Sequence, residues 1–131
     1  MKRWALVLVL LVLFAGCAQC ILMRSEYYDM TGKVFTPKSP ETDIPIYEVG
    51  KAPERPYTEI GAVKVIGQPN TSRQELEEEL KKRARLAGAD ALIEAQYRED
   101  TANKNWFCGR FASTKRNAAA SAKAVLFLDS K

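Results

Sequence analysis

Histidine is absent from the 131 residues of this sequence. That absence removes the most common general base, the usual activator of a serine or cysteine nucleophile, and the most common zinc ligand. The sequence also contains no glycine-rich phosphate loop and no paired-carboxylate motif. The acidic residues instead cluster on the surface of one predicted helix. We therefore predict a protein that is not an enzyme and that holds neither a metal ion nor a cofactor.

Cys17 is the residue with the clearest chemical assignment. It follows Ala15 and Gly16, and small residues at the two positions before a cysteine resemble a bacterial lipobox. The resemblance implies that diacylglycerol is attached to the Cys17 sulfur, that the preceding leader is removed, and that the new amino group is acylated. Phe14 departs from the pattern, which usually has leucine there. Cys20 fits less well, because a glutamine precedes it.

Residues 1–16 have the composition of a secretory signal peptide. Lys2 and Arg3 form a positively charged N-terminal region, and residues 4–15 form an unbroken apolar run. That run is shorter than the roughly 20 residues that span a hydrocarbon core, so a transmembrane helix is not expected. The open alternatives are an uncleaved N-terminal anchor and a buried core helix. An aspartate at position 18 would resemble an inner-membrane retention signal. The residue there is Ala18, which favours localisation of the protein on the periplasmic face of the outer membrane.

Two further cysteines, Cys20 and Cys108, remain after lipidation of Cys17. An exported protein meets an oxidising compartment, so a disulfide between these two residues is one prediction. Two free thiols, or an intermolecular bridge from Cys20, are the open alternatives. Two thiols without histidine make a poor zinc site.

Proline enrichment marks the segment that follows the leader. Five of the six prolines lie between residues 18 and 56, and residues 36–43 show no apolar periodicity. Because proline removes backbone donors and fixes φ, we predict that residues 17–43 carry the lipid anchor and form a flexible stalk. A coil of that length would span roughly 25–30 Å. A compact domain is predicted for residues 44–131.

The compact domain begins with two predicted strands. Residues 44–49 alternate as a short strand, which Pro45 confines to a sheet edge. Residues 57–66 are rich in β-formers and place apolar side chains on both faces. This pattern indicates a strand buried on two sides or a bulge at Gly61.

A helix with clear end signals follows the second strand. Ser72 and Glu75 form a capping box, and Gly88 is a natural stop just past the C-terminus. Acidic residues fill the first half of the helix and basic residues the second, which matches the helix dipole and is typical of a solvated face. The apolar stripe expected to face the sheet consists of Leu76, Leu80, Ala84 and Ala87.

The order of the elements predicts the fold class. Strands at 57–66 and 90–97 flank the helix through short links, and this β-α-β unit implies parallel pairing with a right-handed crossover. Residues 118–128 add a C-terminal strand. We predict an α+β fold with a single small sheet built around a β-α-β unit, one helix packed on one face, an edge strand and a C-terminal strand. The second face of such a sheet would be covered by a partner, by the stalk or by another copy.

Residues 101–117 form a predicted polar loop with the composition of a binding surface. No acidic residue occurs from 101 through 128. Aromatic and basic residues together are natural anchors for anionic headgroups, cell-wall carboxylates or a protein partner. The alternative is that the aromatic side chains pack on the open sheet face while the charges are solvated. The candidate binding residues are Lys104, Trp106, Phe107, Arg110, Phe111, Lys115 and Arg116.

Residues 57–63, Tyr-Thr-Glu-Ile-Gly-Ala-Val, and residues 87–93, Ala-Gly-Ala-Asp-Ala-Leu-Ile, form a pattern found in small bacterial envelope proteins. It is similar to the pattern of the outer-membrane stress-sensor lipoprotein of the Rcs phosphorelay and of the YbjQ-like proteins. The resemblance covers about 45 residues and implies a sheet with a helix on it, no enzyme activity and no established cofactor. The stress sensor is cross-linked through several cysteines that this chain lacks. The resemblance therefore does not imply that this chain has the signalling role of the sensor.

These features predict a non-enzymatic, lipid-anchored envelope protein that binds an envelope component or assembles with itself. The alternative is a sensor or adaptor lipoprotein in envelope stress signalling. The expected partners are the membrane, through the lipid anchor, and an envelope protein, the cell wall, an anionic lipid or a second copy of the chain. Nucleic acid is not an expected partner, because removal of the leader lowers the formal net charge from +4 to +2.

Overall fold

The computed structural model describes residues 23–100 and 117–128, apart from the side chains of residues 99–100. Its elements are β1 Met23–Asp29, β2 Ile46–Glu48, β3 Tyr57–Gly67, α1 Arg73–Leu86, β4 Ala91–Asp100 and β5 Asn117–Phe127. The five strands form one mixed sheet in the order β1-β3-β5-β4-β2, and α1 packs on one face of it. The predicted α+β class is therefore confirmed, and the predicted edge strand is β2, which pairs parallel with β4. No helix in the described part of the chain has the length and hydropathy needed to cross a membrane.

Helix α1 begins and ends where the sequence predicts. The Ser72 hydroxyl accepts a hydrogen bond from the Glu75 N–H at 3.2 Å, and the Glu75 carboxylate accepts one from the Ser72 N–H at 2.7 Å. Gly88 follows the C-cap residue Ala87 with φ +78°, a left-handed conformation that glycine adopts without strain. Of the predicted stripe, Ala87 is half-buried at the helix end, and the buried members are Leu76, Leu80 and Ala84.

The two strands of the β-α-β unit are not neighbours in the sheet. β5 lies between β3 and β4 and pairs antiparallel with both. β3 and β4 therefore run in the same direction, one strand apart, and the predicted pairing between them is wrong. β5 suits the central position because its alanines at 120, 122 and 124 face the core under α1 and leave room for the helix. A β-α-β sequence pattern indicates that its two strands run in the same direction. Whether those strands are neighbours in the sheet depends on where the distant C-terminal strand pairs.

The predicted flexible stalk at residues 17–43 is wrong for its described part, which starts at residue 23. Every residue of β1 pairs antiparallel with β3. Ser25 and Tyr27 lie on the α1 side of the sheet, while charged and polar side chains alternate with them on the other side. The alternation is short and contains charges, so pairing with β3 rather than local sequence decides the structure of β1.

Residues 35–44 form an irregular strap along α1. The Lys38 N–H donates to the Arg85 carbonyl at 2.8 Å, and the Arg85 Nε donates to the Thr42 carbonyl at 2.7 Å. The strap ends at Ile44, which is completely buried in the core. Proline removes only its own N–H, so the remaining polar groups of the strap are free to bond to the helix.

A β-bulge in β4 changes the face of the sheet on which its side chains lie. The bulge follows Ile93. Ala91 and Ile93 pack on the side of the sheet away from α1, whereas Ala95 and Tyr97 pack toward α1. Strict alternation along a strand would place these four residues on one face, but one inserted residue reverses the alternation. In β3 the pairing register shifts between Glu59 and Gly61, which agrees with the bulge at Gly61, one of the two alternatives that the sequence left open.

Glu94 carries the backbone strain of the β4 bulge, with φ +53°. In this left-handed region a Cβ crowds the following carbonyl, and β-branched side chains tolerate it least. We expect Glu94→Val to lower the free energy of unfolding by about 1 kcal/mol in a denaturant titration. Gln96→Val, at an exposed strand position on the same element, is the control. An equal loss in both variants would contradict the assignment of strain to Glu94.

Candidate functional site

The predicted site residues lie outside the described residues. Cys17 and Cys20 precede residue 23, and Cys108 falls within residues 101–116 together with the seven candidate binding residues. The lipidation site, the disulfide and the binding loop therefore stay predictions. The structure does place the residues at which the chain enters and leaves these segments.

Both segments join the described chain at the same end of the sheet. Met23, the first residue of β1, pairs with Gly67 at the end of β3. Asp100 and Asn117, which flank residues 101–116, pair with each other. The N–H of the second β5 residue also donates to the turn after β3 at 3.4 Å, which links the two pairs. We call this end of the sheet the proximal end.

One row of side chains crosses four strands at the proximal end. Arg24 of β1 is opposite Ile66 of β3, which is opposite Ala119 of β5. Ala119 is in turn opposite Arg98 of β4. Directly paired residues point to the same face, so all four share the face away from α1. With strands about 4.8 Å apart, the row is about 14 Å wide between its outer Cα atoms. We call these four residues the proximal row.

The arginines at the two ends of the proximal row are exposed. The Arg98 side chain makes no hydrogen bond or ion pair with the rest of the described chain. Arg24 forms an ion pair with Glu26, two residues along the same strand, and 46% of its side chain stays exposed. The row therefore has cationic ends and a small apolar centre.

The rest of the face away from α1 is largely polar. The Lys123 Nζ lies 3.0 Å from Glu94 Oε2 and 3.2 Å from Glu59 Oε1. Hydrogen bonds to Glu94 and then to Glu59 raise the pKa of the Lys123 amine. Beyond these charges, a small buried cluster is covered by the half-buried rings of Tyr47, Tyr57 and Phe127. Charged and aromatic residues of the sheet itself thus occupy the face that the sequence predicted to be covered by a partner, by the stalk or by another copy.

A polar cluster joins the start of α1 to β4 and β2. The Arg73 guanidinium lies 4.2 Å from the centre of the Tyr97 ring, its Nε donates to Glu77 at 2.8 Å, and it also pairs with Glu48. The Tyr97 hydroxyl donates to Glu77 at 2.9 Å. Burial, with this hydrogen bond, raises the pKa of Tyr97 to about 12. Hydrogen bonding to Arg73 lowers the pKa of Glu77, so this carboxylate is ionised at neutral pH and does not donate a proton.

A groove of about 660 Å³ lies between α1 and the strap. Three of the four cations that line it are paired with acids, among them Lys81, whose Nζ lies 2.8 Å from Asp43 Oδ1, and Lys38, whose Nζ lies 2.5 Å from Asp90 Oδ1. Charges that neutralise one another give little net attraction for an ionic ligand. Within residues 23–100 and 117–128, no three histidine, cysteine or acidic residues are grouped so that they could hold a metal ion.

The proximal row could not be predicted from the sequence. The sequence pattern predicts a stalk at Arg24 and a third strand that ends at Tyr97, one residue before Arg98. The alternation from Met23 to Asp29 is a signal for β1, but no local signal shows that Arg24 and Arg98 share a row. That juxtaposition depends on β5 pairing between β3 and β4.

These observations define the class of fold, an α+β domain with one helix on a five-stranded mixed sheet. The fold is similar to that of FvfA, a Francisella virulence factor, whose crystal structure matches with a TM-score of 0.50. The match covers 78% of this chain and 97% of that chain at 12% sequence identity, so it shows the fold alone. No protein-family model and no curated protein matches the sequence.

Proposed function

We propose that this chain is a non-enzymatic, lipid-anchored protein of the bacterial cell envelope. Cys17 carries the lipid, and the domain lies on the periplasmic face of the outer membrane. There it acts as a binding module for an envelope component, which is a protein, the cell wall or an anionic lipid, or it assembles with a second copy.

The position of β1 is the observation that carries this proposal. Its first residue, Met23, follows Cys17 by only six residues. Six residues span at most about 20 Å. An apolar run placed this close to the first strand suits a cleaved leader, and a lipid on Cys17 would hold the domain beside the headgroups. A tether of this length is shorter than the coil that the sequence predicted.

The charge pattern of the described surface supports binding over catalysis. Arg73 pairs with Glu48 and Glu77 and lowers the pKa of both carboxyl groups, which suits structural pairing and not proton transfer. By contrast, Arg98 is exposed and has no partner in the described part of the chain. Exposed, unpaired cations are available to contact an anionic partner.

Lipidation is tested by removing the thiol that would accept diacylglycerol. We expect Cys17→Ser to abolish metabolic palmitate labelling and leader cleavage. Cys20→Ser is the matched control and is expected to keep full labelling and the processed mass. Label that persists in Cys17→Ser, or that disappears only in Cys20→Ser, would show that the lipid site is assigned to the wrong residue.

A further inference from the structure

A lipid on Cys17 would bring one defined end of the sheet to the bilayer. The tether of at most about 20 Å ends at Met23, and Arg24 of the proximal row is the next residue. The opposite end of the sheet lies the length of β3 away, which is about 33 Å for 11 residues. The proximal row is therefore always within reach of the headgroups, whereas the tether alone does not keep the other end of the sheet within their reach.

The chemistry of the proximal row suits a surface that carries phosphate groups. Guanidinium groups form bidentate, charge-assisted hydrogen bonds with phosphate oxygens. Arg98 is exposed without a partner in the described residues, and among the same residues Arg24 is bound to the partly exposed Glu26. The row lies along a strand-to-strand line about 14 Å wide. Such a line meets an extended anionic surface better than it encloses one small anion.

The segment that joins β4 to β5 carries charge of the same sign as the two arginines of the proximal row. Residues 101–116, which leave and re-enter the described chain at this end, contain four cations and no acid. Glu26 is the acid next to Arg24 on the same strand, and Glu99 and Asp100 follow Arg98 in the sequence. Clusters of basic residues close to a membrane attract anionic lipids through the surface potential.

We propose that the proximal row is a membrane-contact surface that binds the phosphate groups of anionic phospholipids. The orientation rests on the proposed lipidation of Cys17. The row supplies a second membrane contact beside the acyl chains, and two contacts restrict the rotation of the domain that a single tether would allow.

The contact is tested with vesicles and with a chain that has no lipid anchor. Residues 17–131 carrying Cys17→Ser contain every described element, and a cooperative melting transition checks that they fold. We expect this protein to sediment with vesicles of phosphatidylcholine and phosphatidylglycerol and not with phosphatidylcholine alone. Binding is expected to weaken as salt rises above 0.15 M, where the Debye length is about 8 Å.

Arg98→Gln is the decisive variant. We expect it to weaken vesicle binding about fivefold, the contribution of one basic residue near an anionic surface. Lys82→Gln removes the same charge from α1, where 65% of the lysine side chain is exposed, and is expected to change binding less than twofold. Both melting temperatures are expected to stay at the parent value, because both side chains are largely exposed.

Three outcomes would overturn the proposal. Equal losses in the two variants would show a nonspecific effect of net charge. Equal binding to both vesicle types would show that the net negative charge of the anionic phospholipid is not recognised. Displacement by inorganic phosphate at constant ionic strength would identify a small-anion site instead. Because this assay contains no lipid anchor, its failure is distinct from a failure of the palmitate assay.

Discussion

Leu80→Ala is expected to lower the free energy of unfolding by about 2–5 kcal/mol. Leu80 is in the middle of α1, is completely buried, and belongs to the same core cluster as Ile60 and Val63 of β3. The substitution removes the apolar contacts of the side chain and leaves a cavity that the rigid sheet fills only in part. A denaturant titration followed by circular dichroism measures the loss.

Glu78→Ala is the matched control on the same helix. Glu78 is exposed on the solvated side, and its contact with the helix is a 3.4 Å hydrogen bond from Gln74. We expect a loss well below 1 kcal/mol, since exposed charge interactions contribute little. If the two variants lost equal stability, the assignment of the buried face of α1 would be wrong.

The helix could be predicted because its information is local. The Ser72 and Glu75 pair, the spacing from Leu76 to Leu80 and the glycine stop at 88 all lie within one short segment. Each of these signals describes a contact between residues that are close in sequence. The structure places every one of them as predicted.

The sheet was only partly predictable because its order is set by distant segments. β1 and β5 are far apart in sequence, yet both pair with β3. A charged residue such as Glu26 in β1 looks like a linker residue until its strand is seen to cover the edge of β3. The bulge at Glu94 could not be predicted either, because a glutamate in the sequence does not indicate a left-handed backbone conformation.

The candidate site was predictable in composition but not in position. The sequence shows that cations and aromatic residues are concentrated after residue 100, and it places a lipid signal at Cys17. It does not show that β1 and the ends of β4 and β5 bring both segments to the same end of the sheet. That link requires the pairing of Met23 with Gly67 and of Asp100 with Asn117.

The contact between β1 and β3 depends on the missing side chain of Gly61. A Cβ at this position would lie 2.5 Å from the backbone carbonyl oxygen of Tyr28 and 2.5 Å from the ring of Tyr27. The Tyr27 hydroxyl is held there by donating to the Ile60 carbonyl at 3.1 Å. A backbone oxygen cannot move away without shifting the strand to which it belongs.

We therefore expect Gly61→Ala to lower the free energy of unfolding by about 1–3 kcal/mol and to loosen β1 from the sheet. Hydrogen exchange measured by mass spectrometry is expected to show lost protection of Met23–Asp29, in addition to the shift in the denaturant midpoint. Gly50→Ala is the control, because Gly50 has φ +86° but nothing within 4 Å of an added Cβ. That variant acquires backbone strain, yet it is expected to leave the exchange of β1 unchanged. Full protection of β1 in Gly61→Ala would show that the strand pair tolerates a side chain at this position and that the close approach does not hold β1 in place.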